Sequence, residues 1–240
     1  MSWFARGAGL TATGGHDGGP RFYSQFLEAG DLVFDVGANV GDKTALLRRL
    51  GTRVVCIEPQ PDCVKALRAR YRDDAQVTIV AEGLASVPGV MPLSICESAN
   101  AISTFSRKWT TGRFRGFEWN ASIDVPVSTL DILIGQFGTP AFCKVDVEGF
   151  ESEVLRGLSI GIPMIAFEFT IEFLDDARTC VDQLTSIGDY ELNYTRGEEL
   201  RFVLHECTDA GTLFRALSAD GDSLLWGDIY ARLRRVARAT

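Results

Sequence analysis

Acidic side chains at the ends of apolar runs carry most of the chemistry in this 240-residue sequence. The first group is Asp35-Val36-Gly37-Ala38-Asn39-Val40-Gly41, a DxGxNxG turn that closes the apolar run Leu32–Val36. Glycine is needed where backbone adopts unusual dihedrals or passes close to a ligand. Gly37 and Gly41, with Ala38 and Asn39 between them, are therefore read as a ligand loop headed by Asp35. The spacing is not the GxGxxG that cradles a pyrophosphate. An acid at the strand end would repel phosphate and suits a ligand that carries positive charge. A tight turn with no ligand is the plainer alternative.

Glu58 closes the next apolar run and lies 23 residues beyond Asp35. In a doubly wound fold this is where a carboxylate accepts hydrogen bonds from both ribose hydroxyls, and Pro59 follows it into the turn. A third run, Val77–Ala81, is followed by Glu82-Gly83-Leu84, so Gly83 and Leu84 should border an adenine. A cationic amino acid moiety suits the acid at the strand end, and S-adenosylmethionine, which bears both an ammonium and a sulfonium, has the right sign.

The second cluster is Lys144-Val145-Asp146-Val147-Glu148-Gly149-Phe150-Glu151. Alternation sets Lys144, Asp146 and Glu148 on one side as a strand ends, and Glu168 ends a further apolar run. Acids gathered at the ligand end of a sheet can take a proton from a positioned reactant. Asp146 is the leading candidate, with Glu148 and Glu168 beside it. The alternative is a structural Lys–carboxylate network, since unpaired buried charge is costly. The three acids could also hold Mg²⁺ through oxygen ligands, but no spacing enforces this, and no metal ligand is assigned. Residues 107–119 interleave four cations with aromatics. Trp109 and Trp119 are read as a substrate wall, against plain packing of an insertion or stacking on bases.

The elements that must position these groups follow from apolar periodicity. Strands are expected at Leu32–Val36, Arg53–Glu58, Val77–Ala81, Ala141–Val147 and Pro163–Phe169, with Val90–Cys96 as an inserted strand. Helices are expected at Pro20–Ala29, Thr44–Leu50, from Pro61 to about Tyr71, Ser128–Phe137, Glu151–Leu158 and Thr179–Ile187. Residues 98–123 read as irregular and aromatic, and the stretch after Ile187 as two or three strands. This alternation predicts a doubly wound α/β fold, mostly parallel, with an antiparallel C-terminal edge strand. Residues 1–19 read as a glycine-rich arm and 20–240 as a single domain.

Net charge is −8, which argues against nucleic acid and anionic membranes as partners. No stretch approaches the roughly 18 apolar residues that span a bilayer. The six cysteines include no CxxC pair, which reads as buried thiols in a reducing cytoplasm. Only His16 and His205 are present, so a histidine-rich zinc site is all but excluded. His16 has no assigned role, and oligomeric state is not legible.

Four segments together resemble the FkbM family of methyltransferases: DLVFDVGANVG (31–41), VVCIEP (54–59), STLD (128–131) and KVDVEGFE (144–151). The terminal Trp226-Gly227-Asp228-Ile229-Tyr230 resembles family members too, and the similarity runs over roughly residues 20–230. It implies a class I methyltransferase (Rossmann-like) fold, S-adenosylmethionine as donor and a hydroxyl acceptor on a sugar, glycan or secondary metabolite. By position it assigns Asp35, Gly37, Asn39, Gly41 and Glu58 to the cofactor and Asp146 to the methyl-transfer end. The rival readings are a nonenzymatic S-adenosylmethionine-binding or scaffold protein and a nicotinamide-dependent oxidoreductase, the latter disfavoured by the missing GxGxxG.

Overall fold

The structure, a computed structural model, describes residues 18–96, 98–99, 102–112, 114–119 and 121–234. His16 and most of the glycine-rich arm lie outside the described residues. The five expected apolar runs are parallel strands: β1 (Leu32–Val36), β2 (Arg53–Ile57), β3 (Val77–Val80), β7 (Phe142–Val145) and β8 (Met164–Thr170). With β9 (Tyr190–Tyr194) and β10 (Trp226–Leu233) they make a seven-stranded sheet ordered β3-β2-β1-β7-β8-β10-β9. Strand β10 runs antiparallel to both neighbours, so an antiparallel pair closes that edge with β9 outermost. The order reverses between β1 and β7, the crevice where open α/β sheets bind ligands.

Helices cover both faces, which is why the strands read as near-continuous apolar runs. On one face α1 (Gly18–Tyr23), α2 (Asp42–Arg48) and α3 (Pro61–Arg70) bring Tyr23, Leu47 and Leu67 against Val33, Phe142 and Ala166. On the other, α5 (Leu130–Phe137), α6 (Glu151–Arg156), α7 (Leu174–Ile187) and α8 (Ala210–Ala219) pack Leu133, Leu155, Val181 and Leu217 against Phe34, Val145 and Phe167. Among the described residues no helix is long and apolar enough to cross a membrane.

Strand alternation then fixes where the charges go. Phe34, Val145, Phe167 and Ile229 face the α5–α8 layer, so Asp35, Lys144, Glu168 and Asp228 must face the α1–α3 layer. Register puts Asp35 opposite Lys144, and Glu168 opposite Asp228. Lys144 pairs with Ala166, so two residues further on Asp146 comes level with Glu168. Acids on three adjacent strands thus form a row along the carboxyl end of the sheet.

Two expectations need correction. Residues 98–123 are not wholly irregular: α4 (Arg107–Thr111) lies inside them, and β6 (Ala121–Ser128) begins there. Strand β6 joins β4 (Gly83–Leu84) and β5 (Gly89–Ile95) in a separate sheet ordered β4-β6-β5. Pro126 hid this strand, since proline cannot donate to a ladder. It is tolerated because β4 reaches only Val127 and Ser128. The stretch after Ile187 holds, besides β9 and β10, the helix α8, whose signal was masked by Gly211 in its first turn. Asp209 starts it by accepting a 2.8 Å hydrogen bond from the Thr212 N–H.

Thr129 starts α5 in the same way, its hydroxyl accepting from the Ile132 N–H at 3.2 Å. Thr129→Ala should therefore lower stability by about 1 kcal/mol, read as a lower midpoint in urea with an unchanged slope. An unshifted midpoint would remove this cap from the account.

Candidate active site

The glycine loop is built by close approach of two strand ends. Gly37 has φ +80°, and a Cβ there would stand 1.8 Å from the Asp146 carbonyl oxygen. The Asp146 N–H donates to the Val36 carbonyl at 3.0 Å, drawing the two ends together. Gly41 has φ +88°, and its Cβ would meet the Tyr71 ring at 2.7 Å and Leu67 at 2.8 Å. Both glycines are thus required by the protein's own packing, before any ligand is considered. Asn39 also takes a left-handed conformation (φ 48°), a state in which asparagine is enriched. Ala38 is buried beneath the loop.

Asp35 lies under this loop at 2% exposure, with Thr44 Oγ1 donating to its Oδ2. Burial raises its carboxyl above the usual range, offset by the Thr44 bond and by Lys43 and Lys144. It supports the loop from below. Glu58 faces the same loop: Oε2 accepts from the Asn39 N–H and Oε1 from the Gln60 N–H, both at 2.8 Å. Its pKa is raised by burial, against the pull of those two N–H bonds. A carboxylate offers about four lone-pair sites, so two further donors can still be accepted. Pro59 follows it, half-buried.

At the ends of β7 and β8 the Lys144 ammonium, 1% exposed, contacts Asp146 Oδ2 at 3.0 Å and Asp228 Oδ1 at 2.9 Å. Asp228 was not among the expected site residues, although it lies in the WGDIY segment and the register above would have found it. Asp146 keeps 38% of its side chain exposed, against 14% for Asp228. Asp146, Glu148 and Glu168 each offer an oxygen, all within 4.8 Å of one another. The three expected catalytic acids are therefore together.

Glu148 reaches this cluster through a left-handed backbone (φ 56°), a conformation costing a non-glycine residue roughly 1–2 kcal/mol. The surroundings hold it there. Trp109 Nε1 donates to Glu148 Oε2 at 2.9 Å, and Thr104 Oγ1 donates to the Glu148 carbonyl at 2.7 Å. Gly149 lets the Trp109 ring lie close, since a Cβ there would come within 2.5 Å of it. Glu151 Oε1 accepts from the Val147 and Gly149 N–H groups, fixing the turn.

The remaining expected residues separate. Trp109 is buried and touches the cluster, whereas Trp119 Nε1 donates to the Phe114 carbonyl and stays within the insertion. Leu84 belongs to the main core. Gly83 is buried, and a Cβ there would meet the Phe105 ring at 2.8 Å. Segment 103–105, which sequence reading passed over, links the two halves of the site. Gln60 Nε2 donates to Ser103 Oγ at 3.3 Å on the Glu58 side, while Thr104 holds Glu148 on the other.

Burial pushes the Glu151 carboxyl up to about 7, against its N–H bonds and assisted by the Asp146 charge. A raised carboxyl pKa means that the folded chain holds the proton more tightly than the unfolded one. Its contribution to stability is full below the ordinary carboxylate range and is lost as pH rises to about 7. The urea midpoint, in chelator-treated buffer, should fall from pH 5 to pH 8, and Glu151→Gln should flatten part of that slope. An identical slope in the variant would show that Glu151 does not titrate there.

A model of the methyltransferase FkbM domain matches residues 35–208. The hexuronic acid methyltransferase AglP of Haloferax volcanii is 29% identical over 151 residues, covering 61% of this chain. The match spans 58% of that relative's length. Among solved structures, precorrin-6y C5,15-methyltransferase from Geobacter metallireducens superposes with a TM-score of 0.49 at 12% identity, covering 90% of this chain and 86% of that one. Aeropyrum pernix fibrillarin, solved with natively bound S-adenosyl-L-methionine, gives 0.45 at 11% identity, with 85% and 67% covered.

Proposed function

Because the chain belongs to the FkbM family of S-adenosylmethionine-dependent methyltransferases, we propose that it methylates a hydroxyl oxygen of a sugar-type acceptor. The observation that carries this reading is the carboxylate cluster at the carboxyl end of β7 and β8, one loop away from Glu58 and the Gly37–Gly41 turn. A hydroxyl must lose a proton when its oxygen is alkylated, and such a cluster can take it. The relative named for hexuronic acid supports a sugar as acceptor. A carboxylate acceptor would need no base and would be repelled by these acids, which favours a hydroxyl.

The donor set fits the cofactor. Glu58 has lone pairs left for a ribose diol, and the loop backbone from Gly37 to Asn39 lines the crevice beside it. Asp35 and Thr44 brace that loop from beneath. Bound there, S-adenosylmethionine supplies an electrophilic methyl carbon on a positively charged sulfur. Asp146, half-exposed and oriented by Lys144, faces the acceptor and receives its proton. Glu148 and Glu168 surround it, and Trp109 holds Glu148 in place. Trp109 walls the acceptor side, while Trp119 keeps the insertion folded behind it.

Two isosteric variants separate these duties. Glu58→Gln should weaken S-adenosylhomocysteine binding by calorimetry, since hydrogen bonds to a charged group contribute roughly 1.5–3 kcal/mol each. Asp146→Asn should lower kcat by about 10²–10⁴-fold on a panel of glycosides and leave cofactor affinity little changed. Full turnover by Asp146→Asn would end the base assignment. Methyl ester products from a hexuronic acid substrate would replace the hydroxyl by the carboxylate as acceptor.

A further inference from the structure

We propose that Asp146, Glu148 and Glu168 bind a hard divalent cation of the Mg²⁺ or Mn²⁺ type at the acceptor end of the site. Sequence spacing assigned no metal here, because Asp146 and Glu148 lie 22 and 20 residues before Glu168 and only the pairing of β7 with β8 brings them together. Three carboxylate oxygens lie within 4.8 Å of one another, the donor type and number that such cations accept. Clustered acids alone do not define a site, and two further observations point to a ligand.

The first is a pair of buried oxygens with no hydrogen-bond partner, Glu168 Oε2 and Thr170 Oγ1. Thr170 is only 5% exposed and follows Glu168 by two residues on β8, so both project from the same side of the strand. Buried polar atoms are paired in the great majority of cases. The second is a cavity of about 20 Å³ at the Glu168 end of the cluster, lined by both residues together with Trp109, Gly149, Glu151 and side chains of α7, though by neither Asp146 nor Glu148. That space admits about one water-sized species. Lys144 cannot satisfy the group alone, since its ammonium is already shared between Asp146 and Asp228. Trp109, donating to Glu148 Oε2, fixes one ligand from behind, as the outer partners of metal ligands do.

The role of the cation rests on the transferase reading. Held by these acids beside the acceptor, it would bind the hydroxyl oxygen and lower its pKa. The O–H proton then passes to water at the half-exposed Asp146, the oxygen–carbon bond forms and the sulfur–carbon bond breaks. Asp146 remains the group that receives the proton, through that water, while the cation would hold the charge that releases it.

The test uses the full chain, stripped with chelator and titrated with MnCl₂ while free Mn²⁺ is followed by electron paramagnetic resonance. S-adenosylhomocysteine binding is measured by calorimetry on the same samples. The expected result is saturable binding of one Mn²⁺ per chain, displaced by Mg²⁺. Glu168→Gln and Glu148→Gln should each weaken it at least about tenfold, and Glu153→Gln, outside the cluster, should not. Either variant that binds S-adenosylhomocysteine normally is folded and counts. Cofactor binding with no Mn²⁺ binding at millimolar metal would overturn the cation site and leave the transferase reading standing. Mn²⁺ binding without cofactor binding would support the site and sink that reading. Binding indifferent to both cluster variants, or full turnover in chelator, would also overturn the proposal.

Discussion

The Lys144 ammonium, buried on the sheet and shared between Asp146 and Asp228, is the interaction on which the site depends. A lysine so placed is tolerable only because acids surround it, and desolvation is outweighed by Asp146, Asp228 and Glu168. Removing one partner of a buried ion pair typically costs 3–5 kcal/mol, so the arrangement is effectively fixed. It also leaves a surplus of negative charge. Glu148 and Glu168 are both pushed well above the ordinary carboxylate range, first by burial and next by Asp146. The folded cluster therefore holds protons more tightly than free carboxylates do.

That arrangement is set by backbone geometry as much as by side chains. The contact between Gly37 and the Asp146 carbonyl joins the glycine loop to the acid row at the reversal of strand order. No side chain fits between them, so the two parts of the site cannot drift apart without breaking the bond from Asp146 to Val36. Segment 103–105 makes a second tie across the top, from Gln60 to Glu148. A rigid spacing of this kind is what in-line transfer requires, since small misplacements are costly in rate.

Much of this was legible in the residues, for identifiable reasons. β1, β2, β7 and β8 are buried on both faces, so apolar runs ending in acids announced Asp35, Glu58, Asp146 and Glu168. Gly37 and Gly41 were expected to take unusual dihedrals and to let a ligand approach; both have positive φ, and Asp146, Tyr71 and Leu67 already leave no room for a side chain. Asp35, expected at the cofactor, is buried under the loop and held by Thr44, a depth that sequence position does not reveal. Trp109 and Trp119 carry the same signal in an aromatic stretch, yet only one touches an acid, because α4 turns Trp109 inward onto Gly149. Register was the missing information for Asp228, whose pairing with Glu168 is antiparallel and follows a connection of more than 50 residues.

Charge also decides how such a site can accelerate methyl transfer. Transfer to the proposed hydroxyl begins with a positive sulfur and an oxygen that must become more anionic, and charge is dispersed as the new bond forms. Unneutralised carboxylates would hold the sulfonium in its ground state and oppose an anionic oxygen, raising the barrier on both counts. Only interactions stronger in the transition state than before it accelerate the step. The acids at the end of β7 and β8 are therefore useful for catalysis only when most of their charge is cancelled locally. Lys144 cancels one charge, from a position where no solvent screens it. A proton on Glu148 or Glu168 would cancel another but leave no positive charge for the acceptor oxygen. A divalent cation at the cluster would cancel two and bind that oxygen directly, so that the acids no longer oppose its developing charge.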